Sequence, residues 1–424
     1  MNERESALRV LLLMDEGVFM NDALSRISDK KASLREKGLR MQLVRGSLTH
    51  KLYLDYVLGK FSKIPLDKLH RPIYWILLMG IYQMRFLDRV PEAAIVNEAV
   101  KLAKKWGNKG SQGFVNGVLR AIARSKEEAF KIQVKDRKKR LSISYSLPQE
   151  WVEYFLKNDK IKDVEKFFAA NNQEAPLSIR AVGLDPSDLE ERLAQEGFKT
   201  RRSPLAKEGL VVEDPQGIFE SQAFKEGLFY VQDLASQRVV AAFSPGENLR
   251  GLDLCAAPGG KSFQLAELCQ GGLVSCDIDK KRLGLIRENM DRLGIKNIRL
   301  VHQDGSKAFK EEMGSFQRIL VDAPCSGFGL LRRKPEIKYR VKKKDIEALS
   351  RLQGKILQNA SNYLDPKGEL VYSTCSVLEE ENEKVIQGFL SNNKHFKKAG
   401  PPERLWPHED GTDGFFIQKL VRKE

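Results

Sequence analysis

The sequence predicts a multidomain protein of three parts: an all-α domain over residues 1–130, a small α+β domain over 140–235, and an α/β domain with a mostly parallel sheet over 236–424. Up to about residue 125, apolar residues recur at spacings of three and four, as in Ala7, Val10, Leu11 and Met14, with few glycines or prolines inside the runs. Residues 126–140 (KEEAFKIQVKDRKKR) form a charge-rich break, read as a linker or an exposed helix end. After Gly246, short apolar runs alternate with helix-length segments, the order of a parallel sheet covered on both faces. At 424 residues and 42% hydrophobic, the chain has length for two or three domains and apolar content for real cores.

In the first domain, Pro72 precedes an apolar helix over residues 73–84. Pro91 opens another at Glu92, with Val96, Val100 and Ala103 on one face. Residues 107–113 interrupt the pattern, and 114–122 resume it. In the middle domain, 151–168 reads as helix, 177–182 alternates like a strand, and Asp185 opens a helix to about Gln195. Short strands are expected near 210–212 and 227–232. In the last domain, buried strands are expected over 249–255, 272–277, 298–302, 318–322 and 369–374, and helices over 261–268, 280–293, 346–364 and 379–390. Ligands on such a sheet sit at the carboxyl ends of the strands, so the residues just after each strand are the candidates for function.

The net charge of +15 favours a polyanionic partner, of which nucleic acid is the commonest, over a merely solvated basic surface. Five cysteines, all after residue 250, form no C-x-x-C pair, and the five histidines lie far apart. This argues against a disulfide framework and predicts no metal site. The charged start MNERESALRV has no signal-peptide core, and the most apolar stretch, 73–81, is too short to span a bilayer. A cytoplasmic protein with no membrane partner, working as a monomer, is the expectation.

The first strand of the α/β domain ends in Asp253, followed by Cys255, Ala256, Ala257, Pro258, Gly259, Gly260 and Lys261. Paired glycines after a strand let backbone approach a ligand closely. The dinucleotide fingerprint G-x-G-x-x-G is absent. Gly260-Lys261-Ser262 matches the end of a P-loop, but Cys255 stands where its first glycine belongs and Pro258 removes an amide. A loop for an adenosine ligand without phosphates, such as S-adenosylmethionine, remains. Asp277, ending the next strand, is spaced to accept hydrogen bonds from ribose hydroxyls, and Asp304, after the third, is placed near an adenine edge. Each aspartate alone could equally be a cap or a turn residue. Their repetition at successive strand ends favours ligand binding.

The fourth strand runs into Asp322-Ala-Pro-Cys325-Ser-Gly327 and the fifth into Ser373-Thr-Cys375-Ser376, at the same sheet edge as the glycine loop. Buried free cysteines are ordinarily small hydrophobes, which suits Cys269 and Cys276. Cys325 and Cys375 instead lie among turn-forming residues. One reaction uses two thiols, a carboxylate and a methyl donor together. A thiolate adds to carbon 6 of cytosine, making carbon 5 nucleophilic enough to take a methyl group. Asp322 could serve the ring nitrogen as the thiolate adds. A base then removes the carbon 5 proton, and a second thiol could assist release. Spacing leaves open which cysteine attacks.

Cys255–Lys261, Asp322–Gly327 and Tyr372–Ser376 resemble three motifs of the Nop/Sun family of RNA cytosine-C5 methyltransferases, and the likeness extends to 232–236 and 414–417. Residues 94–98 (AIVNE) and 114–120 (FVNGVLR) resemble a NusB-type helical RNA-binding domain, a fusion found in the bacterial 16S (small-subunit) rRNA branch of that family. The resemblance implies a Rossmann-like S-adenosyl-L-methionine methyltransferase domain with Cys375 as nucleophile, Cys325 as the thiol of product release and Asp322 on the base. It implies a cofactor site of Cys255–Lys261 with Asp277, Arg282, Asp304 and Asp322, Lys261 counting as catalytic too. Leu234 departs from the pattern, standing where relatives often carry an acidic residue; this touches none of these roles.

Residues 332–344 (RRKPEIKYRVKKK) follow the Cys325 loop. Their position at the expected pocket mouth makes Arg332, Arg333, Lys334, Lys338, Arg340, Lys342, Lys343 and Lys344 the candidates for phosphate contact. The target base must be single-stranded or flipped out to meet a thiol in a pocket, and the helical and middle domains are expected to read RNA shape. Two other readings remain. A P-loop NTPase is disfavoured by the missing glycine and the unexplained cysteines, and a non-catalytic RNA-binding assembly factor by the intact cysteine pair.

Overall fold

A computed structural model describes residues 2–27, 33–309 and 313–423. The chain forms two compact units, Met1–Gln173 with Leu331–Arg340, and Glu174–Leu330 with Val341–Glu424.

The first unit is helical. Its long helices include Glu3–Asp15, Leu34–Thr49, Lys51–Phe61, Arg71–Phe86, Glu92–Trp106 and Ser111–Phe130. Arg71–Phe86 is buried almost all round, from Ile73 to Gln83, and forms the centre of the core with Leu8, Leu11, Val57, Leu119 and Ile122. The run 126–140, read as a linker or an exposed helix end, holds both: the helix Ser111–Phe130 ends in it after a kink at Lys126 (φ +46°), residues 131–135 connect, and Asp136 caps the next helix, Arg137–Tyr145. The expected helix 151–168 is two, Gln149–Leu156 and Val164–Ala170, the second capped by Asp163.

The second unit carries two sheets. The smaller is antiparallel, in the order β2-β3-β1-β4, from β1 (Leu177–Ala181), β2 (Thr200–Ser203), β3 (Ala206–Val212) and β4 (Phe229–Val231). The larger contains β5 (Gly251–Asp253), β6 (Leu273–Asp277), β7 (Ile298–His302), β8 (Phe316–Asp322), β9 (Leu364–Thr374), β10 (Phe396–Lys398), β11 (Glu403–Leu405) and β12 (Phe415–Arg422). Its order is β10-β12-β9-β8-β5-β6-β7, with β11 on the free part of β12. The five strands from β5 to β9 pair in parallel, and the last three are antiparallel additions that the sequence does not predict. The strand order reverses between β5 and β8, the switch point at which ligands bind on such sheets.

Three expectations are corrected here. The compact units divide the chain elsewhere than the predicted domains: the middle segment's helices up to Ala170 belong to the first unit, whereas its helix Pro186–Gln195 and its sheet belong to the second, the sheet tied to helix Gly260–Leu268 through Arg180. The fully buried Arg180 guanidinium donates to both carboxylate oxygens of Glu267 at 2.8 and 2.9 Å. The helix expected over 346–364 ends at Ser361, because Leu364 opens β9. The basic run 332–344 is divided, since its part up to Arg340 packs into the helical unit. There the Lys338 ammonium is 1% exposed and donates to the carbonyls of Thr49 and Tyr145 and to Asn172 Oδ1. Arg340 donates to the carbonyls of Met14, Gly17 and Val18, the end of the helix Glu3–Asp15. Arg332 is buried as well. Lys338, Arg332 and Arg340 are therefore structural in this unit, while Lys334 and Lys342–Lys344 are exposed and Arg333 half-buried.

Candidate active site

The switch point gathers the predicted residues from four strand ends. After β5, the chain turns through Cys255, Ala256, Ala257, Pro258 and Gly259 into the helix Gly260–Leu268. Gly259 sits at φ +112°, and a Cβ there would meet the Phe263 ring at 2.5 Å, so only glycine makes this turn. The buried Asp253 carboxylate holds the loop at both ends, accepting from Ser262 Oγ at 2.7 Å and from the Cys255 amide at 3.3 Å. Burial pushes its pKa up to about 7, and the hydrogen bond from Ser262 only partly offsets this.

Asp277, at the end of β6, is 4% exposed. Its Oδ2 accepts from the Ala257 amide at 3.1 Å and its Oδ1 from the Asp279 amide at 3.0 Å. Each oxygen keeps a second lone pair for a ligand hydroxyl. Arg282 donates to the Ala257 carbonyl at 2.6 Å and stands 3.7 Å from Asp277, so it braces the loop. Ile278, next to Asp277, leaves an isoleucine side chain 65% exposed at this edge. Asp304 accepts from the amide and hydroxyl of Ser306, which hold its carboxyl below the usual range. Its Oδ1 thus makes a turn like that of Asp277, and Oδ2 lies 3.3 Å from Lys307 Nζ.

Asp322, at the end of β8, joins Lys261 to β9. Its Oδ2 accepts from Lys261 Nζ at 2.7 Å and its Oδ1 from Ser373 Oγ at 2.7 Å. Burial works against the Lys261 charge, but the Asp322 carboxylate outweighs it and raises the pKa, with Cys375 adding to the effect. The ammonium also stands 5.1 Å from the centre of the Phe415 ring on β12.

The two cysteine loops meet beside this pair. Cys325 Sγ and Cys375 Sγ are 3.1 Å apart, and both residues are partly exposed. The Cys375 contact and burial push the Cys325 thiol well above its ordinary range, and burial does the same to Cys255. Cys269 and Cys276 are buried in the core, as predicted. Sequence reasoning misses three residues here: Phe415, Ser373 and the buried Glu381, whose carboxylate takes hydrogen bonds from Ser326 and Ser376. A visible signal is the Cys-Ser pair, which occurs at both loops.

Comparison with known proteins agrees with this architecture. The family described as 16S rRNA methyltransferase RsmB/F matches residues 240–421, and the NusB family matches residues 1–124. A Bacillus subtilis (strain 168) protein named probable ribosomal RNA small subunit methyltransferase B is 34% identical, over 99% of this chain and 98% of its own. The crystal structure of PH0851 shares the fold, with a TM-score of 0.81 at 24% identity over 99% of this chain and 98% of that one. The structure of NSun6 from Pyrococcus horikoshii with SFG aligns with a TM-score of 0.54 at 25% identity, covering 69% of this chain and 99% of that one. With a NusB domain at one end, a methyltransferase domain at the other and 34% identity sustained along the whole length, the chain belongs to the RsmB/F family of 16S rRNA methyltransferases.

Proposed function

We propose that the protein transfers a methyl group from S-adenosyl-L-methionine to carbon 5 of a cytosine in small-subunit (16S) rRNA, through a transient bond between Cys375 Sγ and carbon 6. The observation that carries this is the placement of two partly exposed thiols, 3.1 Å apart, beside the Lys261–Asp322 pair at the carboxyl edge of the sheet.

The donor set fits the cofactor. Asp277 has free lone pairs for ribose hydroxyls, Ile278 offers apolar surface to an adenine, and the loop Cys255–Gly260 is built of small residues around Pro258. S-adenosylmethionine supplies an electrophilic methyl group on a sulfonium. A relative in the fold, NSun6, was solved with SFG, an analogue of that cofactor.

The chain's own residues do the rest. Lys261 sets a positive charge near Cys375, the proposed attacking residue. Cys325, pushed up by its neighbour and by burial, stays a thiol and is suited to give its proton to the departing Cys375 sulfur as a base takes the carbon 5 proton and the adduct resolves. Asp322, oriented by Lys261 and Ser373, is the candidate partner of nitrogen 3, accepting from that atom once it has taken up a proton in the adduct. The net charge of +15 suits a polyanionic substrate, with the exposed Lys334 and Lys342–Lys344 as phosphate contacts. Incubation with methyl-labelled S-adenosylmethionine and 16S rRNA, followed by nucleoside mass spectrometry, tests the reading. It predicts labelled 5-methylcytidine; label on another nucleoside, or binding without transfer, refutes it.

A further inference from the structure

The run Glu379-Glu380-Glu381 has the look of a solvated acidic turn, yet Glu381 is 0% exposed. Among the described residues no lysine or arginine pairs with it. Its charge is met by hydrogen bonds alone, from four donors. Oε1 accepts from the Ser326 amide at 2.7 Å and from Gln353 Nε2 at 3.1 Å. Oε2 accepts from the hydroxyls of Ser326 and Ser376, each at 2.5 Å. The Glu381 carbonyl, in turn, accepts from Tyr372 on β9 at 2.6 Å.

Ser326 directly follows Cys325, and Ser376 directly follows Cys375. The two serines arrive from different strands, β8 and β9; backbone joins the loops beyond them where the Ala323 amide donates to the Ser373 carbonyl and the Gly329 amide to the Cys375 carbonyl, each at 2.9 Å, and between those two bonds Ser326 and Ser376 meet through side chains. One carboxylate grips both. We propose that Glu381 is a positioning residue that sets the spacing of the two sulfurs, so that the thiol that adds to the ring and the thiol that serves release address the same base. Glu381 touches neither sulfur; it acts through the two serines. Gln353, on the helix Lys343–Ser361, fixes the carboxylate from behind and also donates to the Pro324 carbonyl in the Cys325 loop.

The inference rests on the two-thiol reading of the reaction, and it makes reach, rather than charge, the decisive property. Glutamine at 381 keeps the length: its oxygen still accepts from the Ser326 amide, and its amide can donate to serine hydroxyls turned to accept. Aspartate keeps the charge but is one methylene too short to hold both loops. Steady-state kinetics on Glu381→Gln, Glu381→Asp and the milder Ser326→Ala and Ser376→Ala, with melting temperature and S-adenosylmethionine binding as controls, separates these cases. The expected result is a fall of about 10²-fold in kcat for Glu381→Asp, with KM for RNA and cofactor within about threefold, since misplacement of about 1 Å costs that much. Glu381→Gln restores most of the rate, and each serine variant falls between. Wild-type rates in Glu381→Asp overturn the inference, as does a loss of activity that only follows loss of cofactor binding. Wild type and Cys325→Ala run alongside. If they methylate cytosine and accumulate adduct while every Glu381 variant matches wild type, the inference alone fails. If they do neither, the two-thiol reading fails and takes the inference with it.

Discussion

Asp253→Asn tests how the cofactor loop is held. Asp253 is 1% exposed, and burial lifts its carboxyl from 3.8 to about 7. A shift of roughly three pH units is worth ~4 kcal/mol between the two protonation states. The folded state binds the proton more tightly than the unfolded chain. The stabilisation is therefore complete below pH 3.8 and is lost as pH rises to about 7. About 2 kcal/mol of that loss falls between pH 5.5 and 8. Asparagine stays neutral throughout and can still bond both Ser262 and the Cys255 amide. Its melting temperature should therefore gain on wild type by roughly 4–8 °C as pH goes from 5.5 to 8, at about 2–4 °C per kcal/mol for a unit of this size. Differential scanning calorimetry across that range reads the effect. Parallel pH curves for wild type and variant would refute the assignment of a strained, buried carboxylate beneath the loop.

Lys261→Met removes the cation shared by Asp322 and Cys375; methyl transfer should fall by about 10²–10³-fold while RNA binding by gel shift holds, and a smaller loss would contradict its electrostatic role. Arg180→Met leaves Glu267 without its partner and, because Glu267 is partly exposed, should lower unfolding stability by about 1–3 kcal/mol in urea titration; a neutral result would contradict the tie between the small sheet and helix Gly260–Leu268. Charge reversal at Lys342, Lys343 and Lys344 should weaken RNA binding and reduce its salt slope by about 0.7 for each single-strand phosphate no longer neutralised, whereas Lys338→Met should leave the slope unchanged and lower the melting temperature.

The parallel core was legible because β5 to β9 are short apolar runs separated by helix-length segments, and the site residues follow from that order by lying at strand ends. Of the strands not predicted, β12 (FFIQKLVR) carries an apolar run that was legible in principle, with Phe415–Gln418 buried, whereas the others lack such a signal. β2 reads TRRS with no buried position, and β10 and β11 are three-residue additions defined by their pairing with β12 rather than by their own pattern. The basic run shows a different limit. Its composition reads as surface, but Lys338 finds its three acceptors at Thr49, Tyr145 and Asn172, which no local pattern connects to it. Burial then pushes its pKa down to about 7. Glu381 was hidden for a similar reason. In a run of three glutamates, only the turn Glu379–Glu381 decides which one faces inward, and the serines that receive it come from two distant loops.

A sulfur–carbon bond at Cys375 would be visible on a denaturing gel of Cys325→Ala and Cys375→Ala enzymes incubated with cofactor and labelled rRNA. Cys325→Ala should give a slow, labelled protein–RNA band and Cys375→Ala none, while still binding S-adenosylmethionine. A band from Cys375→Ala, with none from Cys325→Ala, would reverse the two roles and contradict a bond at Cys375.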